Sequence, residues 1–312
     1  MSIGQAKVIS FINLKGGVAK TTSAVNVAAS IAKYCVAGSS SQRKPAKVLL
    51  IDLDPQSNAS LSILDRTQYD EENTVVKLFE YHLESSSQST DFPIHKILYS
   101  QPIEGLNLDL IPSSLNLFDI QDRLAQYHSH YISATDLLVN ALDRLRKQID
   151  IVYTHIIIDC PPSLGLVTLN GICCSDYYIV PTLLDSYSYW GLSKIIERVN
   201  QLKAVKSSCN AELLGVLYSR VDATAKSQNK YWSDEFDKWE IENLKQFKSL
   251  YKKGHKSVVF TERILSADII RKAETAHRPV VAYKPLDSNE KMAMEKCQKQ
   301  WLSLVREIID RI

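Results

Sequence analysis

No apolar run in this 312-residue chain approaches the roughly 18 residues that a membrane-spanning helix needs. The opening residues, MSIGQAKVISFINL, pass straight into a strand-like segment and show no cleavable leader pattern, so a cytoplasmic protein is expected. Charge of one sign is also lacking. Lys+Arg is 37 and Asp+Glu is 35, a formal net charge of +2, so no whole-chain attraction to nucleic acid follows and any basic site has to be local. The six cysteines (Cys35, Cys160, Cys173, Cys174, Cys209 and Cys297) form no C-x-x-C pair and mostly sit in apolar runs. They read as buried reduced thiols, not as metal ligands. Internal repeats are absent, and nothing marks a domain boundary, so one domain over residues 1–312 is expected. Hydrophobic content of 45% and charged content of 23% are ordinary for a globular chain.

What the chain does contain is an alternation of short β-branched runs with helical patterns. Strands are predicted at Val8–Asn13, Val48–Leu53, Leu106–Ile111, His155–Asp159, Asp176–Pro181 and Leu213–Ser219, with short late strands at Val258–Phe260 and Val280–Tyr283. Helices are predicted over Thr21–Tyr34, Leu137–Lys147, Gly191–Lys206 and Asp287–Ile312, and residues 226–253 are polar and helical in character. Residues 37–47 and 84–93 read as a polar connector and a Ser-rich surface loop. Continuous apolar strands separated by helices predict an α/β fold: a twisted, mostly parallel sheet with helices on both faces. Functional residues then belong at the carboxyl ends of the strands.

Three stretches carry chemistry, and each follows such a strand. The first, INLKGGVAKTT (residues 12–22), has the Lys20-Thr21 ending of the phosphate-binding pattern G-x-x-x-x-G-K-[ST], but Leu14 and Ala19 stand where the framing glycines belong. Gly16 and Gly17 still allow the backbone to turn its N–H groups towards an anion, and the following helix adds its amino-terminal dipole. Lys20 would neutralise the β- and γ-phosphates, the Thr21 hydroxyl would bind Mg²⁺, and Thr22 would donate to the α-phosphate. The second, VLLIDLDPQSN (48–58), places Asp52 and Asp54 two apart, with Pro55 turning the chain out of the sheet, so that both carboxylates are expected to face the metal–phosphate site. The third, HIIIDCPPSLG (155–165), ends an apolar strand with Asp159, a candidate for holding Mg²⁺ directly or through water.

Together KGGVAKTT, LLIDLDPQSNAS, GLNLDLIPSSLNL and IIIDCPPSLG resemble the ParA/Soj family of deviant Walker-A partition ATPases, as do IVPTLLDSYSYWGL (179–192) and VFTERILSADIIRKAETAHRPVVAY (259–283). The resemblance spans nearly the whole chain. It implies a P-loop fold, ATP and Mg²⁺ as ligands, and a loop formed by Lys15, Gly16, Gly17, Val18, Ala19, Lys20, Thr21 and Thr22 in which the early lysine, not the framing glycines, is required. By that resemblance Lys15 reaches ATP held by a partner subunit, Lys20 keeps its phosphate role, and Asp54 positions the hydrolytic water. Asp52, Asp159 and Thr21 match the metal positions. Ala19 replaces a glycine; it still supplies its N–H, and a negative φ there would leave the loop undisturbed.

The resemblance further implies an ATP-dependent homodimer that binds DNA non-specifically and a ParB-like or other centromere-binding partner that stimulates hydrolysis. That points to a nucleoid-associated protein acting in plasmid or chromosome partition. Non-specific binding needs phosphate-facing cations. Candidates are Lys245, Lys248, Lys252 and Lys253 in KQFKSLYKKGHK, and Arg271 and Lys272, with Lys230, Arg263 and Arg278 adding to them. Thr224 stands where the family has a second DNA-contacting arginine, with Lys226 as a substitute, and Ala276 replaces a family proline. Two alternatives share the loop: an ATPase that positions a protein cargo on the nucleoid, and a MinD-like membrane-bound regulator. The stripe Met294, Cys297, Trp301, Leu304, Val305, Ile308 and Ile312 on the last helix is expected to pack on the core and not on a membrane, since Glu295, Glu307 and Asp310 interrupt the basic polar face.

Overall fold

The computed structural model describes residues 6–37, 44–84, 94–126, 134–148, 151–243, 247, 250, 251 and 254–312. Six strands, β1 Lys7–Phe11, β2 Val48–Asp52, β3 Leu108–Ile111, β4 His155–Asp159, β5 Tyr177–Thr182 and β6 Glu212–Tyr218, form one sheet in the order β3-β2-β4-β1-β5-β6. Every pairing in it is parallel. The predicted strands fall within two residues of these bounds, and β4 is the predicted segment itself. A separate antiparallel pair of two-residue strands joins Val36–Ala37 to Lys44–Pro45.

The strands are apolar without interruption because both faces are covered, and the period of two sorts their side chains between two cores. Val8, Leu49, Ile51, Ile156 and Ile158 belong to one core. Ile9, Val48, Leu50 and Ile157 belong to the other. Each such side chain contributes roughly 1.5–3 kcal/mol of transfer free energy on burial. The first face is closed by α3 Val76–Glu84, α5 Leu117–Ala125, α6 Leu137–Gln148, α7 Leu166–Cys173 and α8 Ser186–Val205. The second is closed by α1 Lys20–Tyr34, α10 Asp268–Thr275 and α11 Ser288–Arg311. Short helices α2 Asn58–Leu61 and α4 Ile94–Ile97 fill the connections, and α9 Lys226–Glu242 follows β6.

Two predicted late strands are not strands. Val259 makes only an isolated bridge to Val216, and Val280–Ala282 is a turn of 3₁₀ helix behind Pro279. Asn26 Oδ1 accepts the Val280 N–H at 2.8 Å, so this segment is held by α1 and not by a sheet edge. Helices α3, α5, α7 and α10 were not anticipated. In α7 the reason is burial all round: seven of its eight residues, Val167–Cys173, are buried, which erases the amphipathic period.

The stripe of α11 lies in the core, where Cys297, Trp301, Leu304, Val305 and Ile308 are buried, as expected of a helix that packs inward. Asp287 caps the helix through Glu290 N at 2.8 Å. At its other end Arg311 donates to Leu214 O at 3.0 Å, Val258 O at 3.1 Å and Val259 O at 2.8 Å, pairs with Glu307 at 2.7 Å, and stacks 4.2 Å from the Phe260 ring centroid. These two side chains fill the space over Gly215: an added Cβ would stand 2.6 Å from Phe260 Cε2 and 2.7 Å from Arg311 Nη1. Gly215→Ala is therefore expected to destabilise the protein by about 1–3 kcal/mol. Urea denaturation would measure it, and a loss under about 0.5 kcal/mol would show that the end of α11 moves aside freely.

Candidate functional site

At the carboxyl edge of the sheet three strands end in step: Phe11 of β1 and Asp52 of β2 both stand opposite Asp159 of β4. The loop after β1 is tied to its neighbour by Asn13, whose Nδ2 donates to Pro181 O at 2.7 Å while its Oδ1 accepts from Lys15 N at 2.9 Å. Gly17 then takes φ 72 and Ala19 φ 55. The negative φ that would let alanine replace glycine without strain is thus not adopted; the left-handed conformation costs an L residue about 1–2 kcal/mol. Helix α1 begins at Lys20 with no side-chain cap and no acid in its first turn. Its first N–H groups and the positive end of its dipole are left for an anion.

A cleft of ≈ 1080 Å³ opens over this helix end. Gly16, Gly17, Ala19, Lys20, Thr21 and Thr22 line it on one side, with Asp54 beside them. The segment from Ile264 to His277 lines the other side. Its size suits a nucleotide-sized ligand. Val18 faces the core and is buried, and its carbonyl turns away from the cleft to Ser219 Oγ at 2.8 Å. Thr22 Oγ1 donates to Glu274 Oε1 of α10 at 2.7 Å, so the last residue of the motif is joined to the opposite wall.

The two aspartates of VLLIDLDPQSN separate. Asp54 lines the cleft and uses Oδ1 to accept Gln56 N–H at 3.0 Å. Asp52 does not line it: Oδ1 accepts Asp54 N–H at 3.0 Å, and Oδ2 accepts Ser60 N–H at 2.9 Å and Ser60 Oγ–H at 2.7 Å. Its carboxylate holds the turn between β2 and α2, and burial pushes its pKa up to about 6 against these hydrogen bonds. Of the two carboxylates expected to face a metal–phosphate site, Asp54 lines the cleft and Asp52 does not, because α2 presents Ser60 at the strand end.

Asp159 is wholly buried, and neither of its oxygens makes a hydrogen bond of normal geometry; the Thr21 hydroxyl is the nearby donor that favours its charged form. Burial, then the charge of Asp52, raises its pKa well above the carboxylate range, opposed by Thr21 and Lys20. Lys20, itself buried, donates to Lys15 O at 3.0 Å. Burial lowers its pKa, while Asp159 and Asp54 act the other way. One ammonium thus faces two carboxylates, Asp54 and Asp159, an arrangement short of positive charge. An orphaned carboxylate beside a threonine hydroxyl fits a divalent cation. Among the described residues no group of three or more His, Cys, Asp or Glu could bind a metal unaided. Mg²⁺ takes one or two carboxylates and completes its shell with phosphate oxygens and water.

Lys15 does not join the cleft. Its side chain is 42% exposed and Nζ lies 2.6 Å from Asp185 Oδ2. Asp185 is the N-cap of α8, accepting Ser188 N–H at 3.0 Å. Burial raises its pKa, but Lys15 and Ser188 outweigh that and hold it low. Arg271 lines the far end of the cleft, 79% exposed and paired with Asp268, while Lys272 pairs with Glu290 at 2.8 Å and Asp268 at 3.8 Å. Lys245, Lys248, Lys252 and Lys253 lie outside the described residues. Lys226, Lys230 and Arg263 line a second, smaller cleft of ≈ 390 Å³ with Asn229, Ser233 and Asp234. Arg220 was missed in the sequence. It lines the main cleft and donates to Gly17 O at 3.0 Å, and only its place just past the carboxyl end of β6 could have signalled it.

The whole ladder of strand ends, loop and buried aspartate defines a P-loop NTPase. A family model for the AAA domain matches residues 6–213. The sporulation initiation inhibitor Soj of Bacillus subtilis is 29% identical over 272 residues, covering 84% of this chain and 94% of Soj. The chromosome-partitioning ATPase Soj of Treponema pallidum is 32% identical over 225 residues, 70% of this chain and 74% of that protein. An uncharacterised Mycobacterium tuberculosis protein is 31% identical over 221 residues, and there the match spans 60% of the relative's length. Among solved structures, an ATP complex of Cyanothece McdA superposes with TM-score 0.71 at 20% identity, covering 98% of this chain and 97% of that one, a likeness of fold. The chain belongs to the AAA domain family, in its ParA/Soj branch.

The unpartnered carboxylate at Asp159 gives a direct test. Asp159→Asn should stabilise the protein at pH 7 by on the order of 1–3 kcal/mol. A carboxyl whose folded pKa is raised contributes most below its unfolded pKa and loses that contribution as pH rises through the folded value. The gain from Asp159→Asn should therefore shrink as pH falls from 7 towards 4. Urea denaturation at the two pH values would show this, and an equal gain at both would assign the effect to packing.

Proposed function

We propose that this protein is a Mg²⁺-dependent ATPase that works, as one domain over residues 1–312, as a DNA-partition switch. The observation that carries the reading is the convergence of an uncapped α1 with Lys20, Thr21, Asp54 and the orphaned Asp159 at one edge of a parallel sheet. Loop N–H groups and α1 bind the phosphate chain, and Lys20 neutralises the β- and γ-oxygens. Thr21 and Asp159 would hold Mg²⁺, which supplies charge withdrawal from the phosphate oxygens when bound. Asp54 has one oxygen on Gln56 N–H and a second with which to orient water for attack on the γ-phosphorus, releasing ADP and phosphate. Asp52 keeps the Asp54 turn in place.

The outward course of Lys15 supports a role in a partner's site. Its exposed pair with Asp185 contributes about 0–1 kcal/mol. ATP would thus close a sandwich dimer. The paired set of cation surfaces, Arg271 and Lys272 with the Lys226, Lys230 and Arg263 cleft, then meets DNA phosphates without reading bases. The pair at Arg271 is exposed enough for phosphate to displace its acid. A ParB-like or other centromere-binding protein stimulates hydrolysis and release, and the protein cycles on the nucleoid in the cytoplasm. The inward packing of α11 supports DNA over membrane as the surface.

Non-specific DNA binding measured with ADP, ATP and a slowly hydrolysed analogue across salt tests this. Binding should require the triphosphate and weaken with salt; no triphosphate-dependent binding at low salt would overturn the reading. Lys15→Gln should still bind ATP but lose hydrolysis and DNA binding together, and silence in both would remove the cross-subunit role. Arg271→Ala should lower the log–log salt slope by roughly 1 per protomer while sparing dimerisation.

A further inference from the structure

Two adjacent residues at the end of β6 grip the phosphate-binding loop from outside. Ser219, buried, donates from Oγ to Val18 O at 2.8 Å, with Thr182 O at 3.2 Å as a second acceptor. Arg220 donates from Nη1 to Gly17 O at 3.0 Å. The loop carbonyls of residues 17 and 18 are therefore both claimed, by consecutive residues of one strand end. In a planar trans peptide the carbonyl of one residue and the N–H of the next point in opposite directions. Drawing Gly17 O and Val18 O towards β6 therefore turns the N–H groups of Val18 and Ala19 the other way.

These two carbonyls immediately precede Ala19, the residue in the left-handed region with φ 55. Such a conformation in a non-glycine residue persists where its surroundings over-determine it. Arg220 is itself left-handed, with φ 52, so the grip is bought with a second unfavourable backbone. We propose that Ser219 and Arg220 form a clasp that holds the loop in its phosphate-binding shape despite Ala19, and that Arg220 is a positioning residue for nucleotide binding. The proposal rests on the nucleotide-binding reading above. A guanidinium suits the task because its several donors lie in one fixed plane, so the bond to Gly17 O constrains direction as well as distance. Arg220 is exposed at the cleft wall, so its replacement leaves the core intact.

The test is a double-mutant cycle between Arg220→Met and Ala19→Gly. Glycine adopts the left-handed conformation without strain, so it removes the need for the clasp. Dissociation constants for a fluorescent ADP analogue with Mg²⁺ should rise roughly tenfold in Arg220→Met, the loss expected for one charge-assisted hydrogen bond. The double variant should recover to within about threefold of the Ala19→Gly single variant, which serves as its reference. An unchanged Arg220→Met, or a double variant no better than Arg220→Met, overturns the proposal. The urea midpoints of the same four proteins without nucleotide give an independent cycle. Ala19→Gly should raise the midpoint of Arg220→Met more than that of the parent, and strict additivity would overturn the clasp. If the parent binds no nucleotide, the ATPase reading fails while the midpoint cycle still decides the clasp.

Discussion

Lys20 is buried beside two carboxylates, Asp54 and Asp159, and the shape of the whole cleft follows from the need to balance that charge. A buried ammonium is tolerated only when paired and hydrogen-bonded. Lys20 meets this by donating to Lys15 O and by lying near Asp54 and Asp159. The bond to Lys15 O spans the curl of the loop, within which Gly17 and Ala19 are left-handed. The carboxylates can be near only because β1, β2 and β4 end level with one another. Strand register, loop conformation and electrostatics are thus one problem with one solution.

That solution is not the most stable one available to the fold. Asp52 is fully bonded and serves stability; Asp159, one strand over, has no partner and is held against its solvation preference. Two carboxylates at equivalent strand ends have been assigned opposite duties, one by Ser60 and the other by the lack of any donor. Ala19 adds backbone strain a few residues away. Destabilising features concentrate where a ligand would relieve them, the pattern expected of a site that sacrifices stability for binding.

How much of this could be read in the residues follows from range. Strand β4 is legible because three consecutive isoleucines end in an aspartate, and α1 because its pattern is local. The fate of Asp52 is not, since it depends on a serine eight residues on that reaches back only after α2 forms. Ala19 is legible as an alanine but not as a left-handed one, because its residue type favours the opposite sign of φ. Val280–Ala282 has strand-like composition, yet a proline before it and Asn26 beneath it make a 3₁₀ turn. Arg220 belongs to no motif; its importance is a matter of which strand end adjoins the loop. Sequence patterns report what a segment prefers, and the cleft is built from what distant segments impose.

The strand order has a consequence in time. Strand β1 leads directly into the loop, but its neighbours are β4 and β5, with Lys7 paired to His155 and Ile9 to Tyr177. Contacts so far apart along a chain close slowly, since the intervening segment must be organised before they are rewarded. The loop is also fastened by Pro181 and by Ser219, which lie further on still. The residues that come first in the motif are therefore among the last to take their working shape, and a chain that has folded only its first half has the loop's sequence without its geometry.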